Sequence, residues 1–252
     1  MLLQHKTAVV YGGGGFVGGA IARALAREGA TVHLAGRTAA TLQVVADDIA
    51  AAGGQAHVAV VDALNEAEVD RHAAAVVERS GRLDISVNVI SDQDVQGTAM
   101  VEMSVEDYMR PVEVAVRSKF LTARAAARHM IPQGSGVILT FGGRFDWRVA
   151  RQLRVGGIGT AFDAVEAMRR QLAAELGPHG IRVVTLRTGG LPETIPADFE
   201  GYEQVRRWLV DQTLTGRTAT LADVGNVAAF AASELARTVT GTINMTAGAV
   251  LD

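Results

Sequence analysis

Four consecutive glycines, Gly12–Gly15, follow Tyr11 and lead through Phe16 and Val17 to a further glycine, Gly18. Glycines in such a run let a turn take positive φ and let backbone N–H groups come close to an anion. Where the run opens a helix, the free amides and the helix dipole favour a pyrophosphate. A glycine run alone is a weak signal. Placed between a strand and a helix, with a second strand ending about twenty residues later, it is the pattern of a dinucleotide site. That second strand ends in Ala35-Gly36-Arg37-Thr38. An NAD-preferring site wants a carboxylate there for the ribose hydroxyls. Here a guanidinium stands instead, suited to a 2′-phosphate through two parallel hydrogen bonds. The expectation is therefore NADP(H), with Gly12, Gly15, Phe16, Val17, Gly18, Arg37 and Thr38 around it.

Other residue types offer less. Asp92 and Asp94 follow an apolar strand, at the end of a sheet where ligands of α/β folds bind; one could act as a general base, or both could cap turns. The histidines, His5, His33, His57, His72, His129 and His179, are scattered without metal-ligand spacing, so no metal is expected. No cysteine is present, and no Gly-x-Ser-x-Gly elbow occurs.

The elements that must position these residues are legible as alternating apolar β runs and Ala-rich helical stretches. Strands are expected at Thr7–Tyr11, Thr31–Ala35, Ala56–Val61, Ile85–Ile90, Gly136–Phe141, Ile181–Leu186 and Thr242–Thr246. Helices are expected at Val17–Glu28, Leu42–Ala52, Glu66–Ser80, Val105–His129, Gly159–Leu176 and Leu221–Ser233, with Pro111 near an irregular early turn. The region 188–218 holds two of the five prolines and reads as irregular. Nearly continuous apolar runs such as Ile85–Ile90 suit strands buried on both faces. The fold expected is a single-domain Rossmann fold over 1–252: a doubly wound parallel sheet of about seven strands with helices on both faces.

Composition narrows the class. In 252 residues the net charge is −3, so no basic excess exists to neutralise nucleic-acid phosphates. No apolar run approaches the roughly 20 residues of a membrane span, and no separate signal sequence precedes the first strand. A cytoplasmic protein with a small-molecule substrate is the expectation.

With these motifs in place, the chain resembles the short-chain dehydrogenase/reductase (SDR) superfamily along nearly its whole length. Val60-Val61-Asp62 resembles the end of the family's third strand, which implies that Asp62, with Ala63 beside it, contacts the adenine. Asp84-Ile-Ser-Val-Asn88 resembles the stretch leading into the family's Asn-Asn-Ala-Gly motif and implies a cofactor role for Asn88, although Val89-Ile90-Ser91 depart from it. Glu106-Asp107-Tyr108, Phe120–Arg124, Gly180–Val183 with Gly189, Asp223-Val224 and Thr240-Gly241 follow in the family's order. The resemblance also implies a substrate lid around 188–218. It further implies a homodimer or homotetramer formed through the helices at 105–129 and 159–176.

The family's catalytic side chains do not carry over. Registered on Ala173–Leu176, the tyrosine position holds Ile158 and the lysine position Phe162. The serine position falls at Gly143 or Gly142, and the asparagine position at Ala115. Lys6 and Lys119 are the only lysines, preceded at four residues by Leu2 and Ala115, so no Tyr-x-x-x-Lys exists in the chain. Weak candidates for another chemistry are Asp92, Asp94, Asp146 and Asp163. Asp163 stands beside the vacated lysine position, where a buried carboxylate would have a raised pKa. Arg144, Arg148, Arg151 and Arg154 could clamp an anionic substrate or form a solvated face. Tyr202 and Arg206 lie four apart in the lid region. Three readings stay open: a divergent NADP-dependent oxidoreductase; a dehydratase, isomerase or cyclase on this fold; and a non-catalytic cofactor-binding or scaffold protein.

Overall fold

The computed structural model describes residues 1–145, 147–196 and 198–249. Its seven strands are β1 (Thr7–Tyr11), β2 (Thr31–Gly36), β3 (Gln55–Val60), β4 (Ile85–Asn88), β5 (Gly136–Gly143), β6 (Ile181–Thr188) and β7 (Gly241–Met245). They form one sheet in the order β3-β2-β1-β4-β5-β6-β7, and every pairing is parallel. The order reverses direction between β1 and β4, which opens a crevice at their carboxyl ends, the place where such sheets bind ligands.

Helices α1 (Phe16–Arg27), α2 (Ala39–Ala51), α3 (Glu66–Ser80), α4 (Val105–Gln133), α5 (Trp147–Leu153), α6 (Ile158–Leu176), α7 (Tyr202–Asp211) and α8 (Leu221–Ala232) complete the fold. One face of the sheet packs Val10, Leu34, Val87 and Leu186 against Ile21 and Leu25 of α1, Ile49 of α2 and Val224 of α8. The opposite face packs Val9, Ile138 and Val183 against Val69 of α3, Leu121 and Met130 of α4 and Leu176 of α6. Short caps start the helices. Asn65 accepts from the Glu68 amide before α3, Ser104 accepts from the Asp107 amide before α4, and Thr220 with Asp223 forms a capping box before α8.

Three expectations need correction. β4 stops at Asn88: the Val89 amide still donates to the carbonyl of Tyr11, the last residue of β1, at 3.0 Å, and the Ile90 amide turns back to Asn88 Oδ1. α4 continues through Pro111 to Gln133, so that proline sits inside regular helix. The region 188–218 is not wholly irregular: α7 lies within it, and none of its residues is fully buried. Tyr202, Val205, Trp208 and Leu209 recur along it at helical spacing and form an apolar stripe. Among the described residues, no helix is long and apolar enough to cross a membrane.

Candidate functional site

The glycine loop turns from β1 into α1. Gly12 has φ +87°, and a Cβ on it would lie 2.9 Å from the Val89 carbonyl oxygen of the loop after β4. Gly18, in the first turn of α1, lies against the Gly12 carbonyl so closely that a side chain would collide with it. Gly15 caps α1 without any side-chain hydrogen bond. The first-turn amides of α1 are therefore not taken up by a capping side chain, and no side chain shields the backbone there.

Around this loop lies a cavity of about 300 Å³. Gly12, Gly15, Arg37, Thr38, Asp62 and Ala63 line it together, with Gly14, Thr41, Leu64, Ile90, Ser91 and Gln93. Asp62 accepts from the Leu64 amide at 3.0 Å, which folds the end of β3 toward the cavity. Asn88 is buried beneath: its Nδ2 donates to Thr122 Oγ1 of α4 at 3.0 Å, and its Oδ1 accepts from the Ile90 amide at 3.1 Å. Asn88 thus shapes the loop without lining the cavity. Phe16 is 61 % exposed at the start of α1. Val17 faces a second cavity.

That second cavity, of about 340 Å³, runs from Val17 across the ends of β5 and β6 to α7. Phe141, Phe145, Val149, Leu153, Phe162, Leu191, Trp208, Leu209 and Met245 give it apolar walls, with Thr188, Thr213, Thr218 and Thr246 as hydroxyl-bearing exceptions. Gly142 and Gly143 line it where the resemblance implies a serine. A Cβ on Gly143 would lie 2.7 Å from the Phe162 ring, so that ring fills the room a side chain at 143 would need. Phe145 stacks on Phe162 with ring centroids 5.9 Å apart. Ala115 and Ile158 are buried in a separate apolar cluster with Val155, Ala161 and Val165.

The charged candidates disperse. Asp92 accepts from Lys119 Nζ at 2.7 Å. Burial raises its pKa, and the lysine opposes the rise. Asp94 accepts from Gln96 at 2.6 Å. Asp163 is exposed, not buried as expected; the buried carboxylate on α6 is Glu166, three residues on. Burial works against ionisation of Glu166, but Thr185, Thr242 and Arg169 outweigh it and hold the carboxyl below its usual value. Asp146 lies outside the described residues. Of the arginines, Arg144 lines the second cavity, Arg148 and Arg151 are exposed on α5, and Arg154 donates to the Gly97 carbonyl at 3.4 Å. Arg206 pairs with Glu203 at 3.0 Å, and α7 turns Trp208 and Leu209 toward the cavity instead.

Two histidines that are distant in sequence meet. His33 and His57 stand opposite each other on β2 and β3, ring centroids 4.8 Å apart. Among the described residues no group of three metal-capable side chains forms.

Comparison with known proteins agrees with this architecture. A family model described as enoyl-(acyl carrier protein) reductase matches residues 16–248. An uncharacterized oxidoreductase of Methylorubrum extorquens is 33 % identical over 251 residues, covering 98 % of each chain. An L-rhamnose 1-dehydrogenase (NAD(P)(+)) of Azotobacter vinelandii is 30 % identical, covering 96 % of this chain and 94 % of that one. A short-chain type dehydrogenase/reductase from Mycobacterium marinum superposes with a TM-score of 0.85 at 28 % identity, covering 99 % and 97 % of the two chains. A parallel doubly wound sheet with a glycine-loop crevice defines a nucleotide-binding oxidoreductase class. Within it, this chain belongs to the short-chain dehydrogenase/reductase superfamily, whose members bind NAD or NADP.

Proposed function

We propose that the chain is an NADP(H)-binding, divergent oxidoreductase that reduces or oxidises an apolar substrate without a tyrosine–lysine pair. The observation that carries this reading is the convergence of the bare glycine loop and Arg37 on one cavity, with a separate apolar cavity that Val17, in the first turn of α1, helps to line. The glycine cradle fits a dinucleotide pyrophosphate, since a side chain at Gly18 would block the close approach. When bound there, the nicotinamide supplies or accepts the hydride.

Each part of the task falls to residues of this chain. Arg37 binds a 2′-phosphate through its planar fork. Asp62 and Ala63 sit against the adenine side. The aromatic and aliphatic walls around Phe141, Phe162 and Trp208 exclude water and hold an apolar substrate. Ile158, Phe162, Gly143 and Ala115 offer no ionisable group, so the proton comes from water, from substrate or from another side chain. That suits reduction of an activated C=C or C=N bond, where no tyrosine-like acid must meet a carbonyl oxygen. The same reading places the protein in the cytoplasm and lets α4 and α6, which pack on each other, form a homodimer or homotetramer. The expected light-scattering mass is a multiple of the chain's, and a monomer would count against it.

A second reading, cofactor binding without turnover, is favoured by one observation: Ala115 and Ile158 are sealed in an apolar cluster. Calorimetric titration with NADPH, NADP⁺ and NADH, paired with Arg37→Asp, tests the cofactor part. The expected result is NADPH binding that the variant loses. No binding of any of the three would overturn both readings. Hydride transfer to activated alkenes or imines, followed by nicotinamide absorbance, separates the two.

A further inference from the structure

Beside Phe162, which also lines the apolar cavity, lies a third chamber of about 530 Å³ between the ends of β5 and β6 and the helices α5 and α6. Arg187 forms its floor. The register places Arg187 of β6 between Gly142 of β5 and Asn244 of β7, so Gly142 puts no side chain beside the guanidinium. The Arg187 side chain is only 12 % exposed, and its Nε finds no hydrogen-bond acceptor among the described residues.

The charges around it do not cancel. Glu166 Oε2 accepts from Arg169 Nε at 3.2 Å and from Thr242 Oγ1 at 3.0 Å. Arg187 Nη2 reaches the same oxygen only at 4.0 Å. Two nearly buried guanidiniums thus face one buried carboxylate, whose Oε2 already has closer partners. At the mouth, Asp163 and Arg170 are exposed and of opposite sign. A buried charge without an adequate partner is costly, and an anion against Arg187 would offset that cost. Arg144 also lines the chamber and is exposed, and Phe145, Ala150, Val155 and Phe162 give it apolar walls.

We infer that this chamber is a recognition site for a monoanionic carboxylate bearing an apolar tail, with its carboxylate against Arg187 and its tail along Phe145 and Phe162. Among the nearly buried groups Arg169, Arg187 and Glu166 one positive charge is in excess, which matches a monoanion, and a planar guanidinium matches a carboxylate in two parallel bonds. The site goes beyond the cofactor reading, since it needs neither dinucleotide nor hydride transfer.

Thermal unfolding of the purified full chain tests it, with sodium hexanoate, hexanol, acetate and inorganic phosphate as probes. Binding to the folded state raises the melting temperature in proportion to saturation. Hexanoate is expected to raise it, acetate less, and hexanol and phosphate not at all. Arg187→Met removes the excess buried charge, so its melting temperature without anion should equal or exceed the parent's, with no response to hexanoate. Arg187→Lys keeps the charge but loses the fork; about tenfold weaker hexanoate binding is expected, and this variant serves if Arg187→Met does not fold. No hexanoate response in the parent chain, equal responses to hexanol or phosphate, or full responses in both variants would each overturn the inference.

Discussion

Lys119 Nζ lies 2.7 Å from Asp92 Oδ1, and the lysine side chain is 1 % exposed. One of the two lysines of the chain is thus fully interior, tying α4 to the loop that follows β4. Asn88 and Thr122 tie the same two elements at a second point, 3.0 Å apart. Between these points Ile90 and Ser91 line the glycine-loop cavity. Removing one partner of a buried pair strands a charge and costs about 3–5 kcal/mol, whereas replacing both by apolar groups is often near neutral. Lys119→Met and Asp92→Leu should each lower stability by that order in urea unfolding. The double variant should recover most of it. Additive losses in the double variant would show that the two side chains are not coupled.

Gly143 and Phe162 compete for one volume. Gly143→Ser should destabilise the chain by about 1–3 kcal/mol, the usual cost of overpacking. In a Phe162→Ala background the same substitution should cost far less, since the ring that lies 2.7 Å from the new Cβ is gone. A double-mutant cycle reads the difference, and a coupling near zero would refute the competition.

Gly18→Ala tests the loop's close packing. Its Cβ would meet the Gly12 carbonyl, backbone against backbone, so the turn itself must move. NADPH affinity should fall by at least about tenfold, or about 1.4 kcal/mol. Retention of parent affinity would show that the loop is not the pyrophosphate cradle.

Two buried histidines set an acid limit. His33 has its pKa lowered to about 4 by burial, then by His57, His72 and Arg79. His72, near the Tyr11 hydroxyl, is lowered to about 4 by burial. Both bind protons more weakly folded than unfolded, where the ordinary value is about 6.5. Between these values the unfolded state carries more protons, so stability rises with pH. The contribution is full above about pH 6.5 and is lost as pH falls toward about 4. Urea midpoints across that range should decline for the parent and decline less for His33→Gln. Equal slopes would remove His33 from the account.

Much of the fold was legible because it is written in short-range pattern. β1 and α3 match their expected bounds, since Thr7–Tyr11 is an unbroken apolar strand and Glu66–Ser80 is capped by Asn65. The glycine loop was legible for the same reason, a strand, a turn and a helix in immediate succession. The lack of a Tyr-x-x-x-Lys is purely a matter of spacing. Harder cases turn on rotation about a helix axis. Asp163 and Glu166 are three residues apart on α6, and only the packing of that helix decides that the second is buried and the first is not. Lys119 with Asp92, His33 with His57, and Arg187 with Glu166 are separated by 27, 24 and 21 positions. No local periodicity encodes such meetings. Strand order and register across β2, β3, β5 and β6, and the way α4 and α6 lie on the sheet, bring them together. The sequence by itself determined the class of sheet, the glycine turn from β1 into α1 and the absence of any Tyr-x-x-x-Lys spacing, all carried by neighbours in the chain. Which charges are buried, and what they face, was decided by the tertiary structure, because burial and partnership belong to packed surfaces and not to the chain.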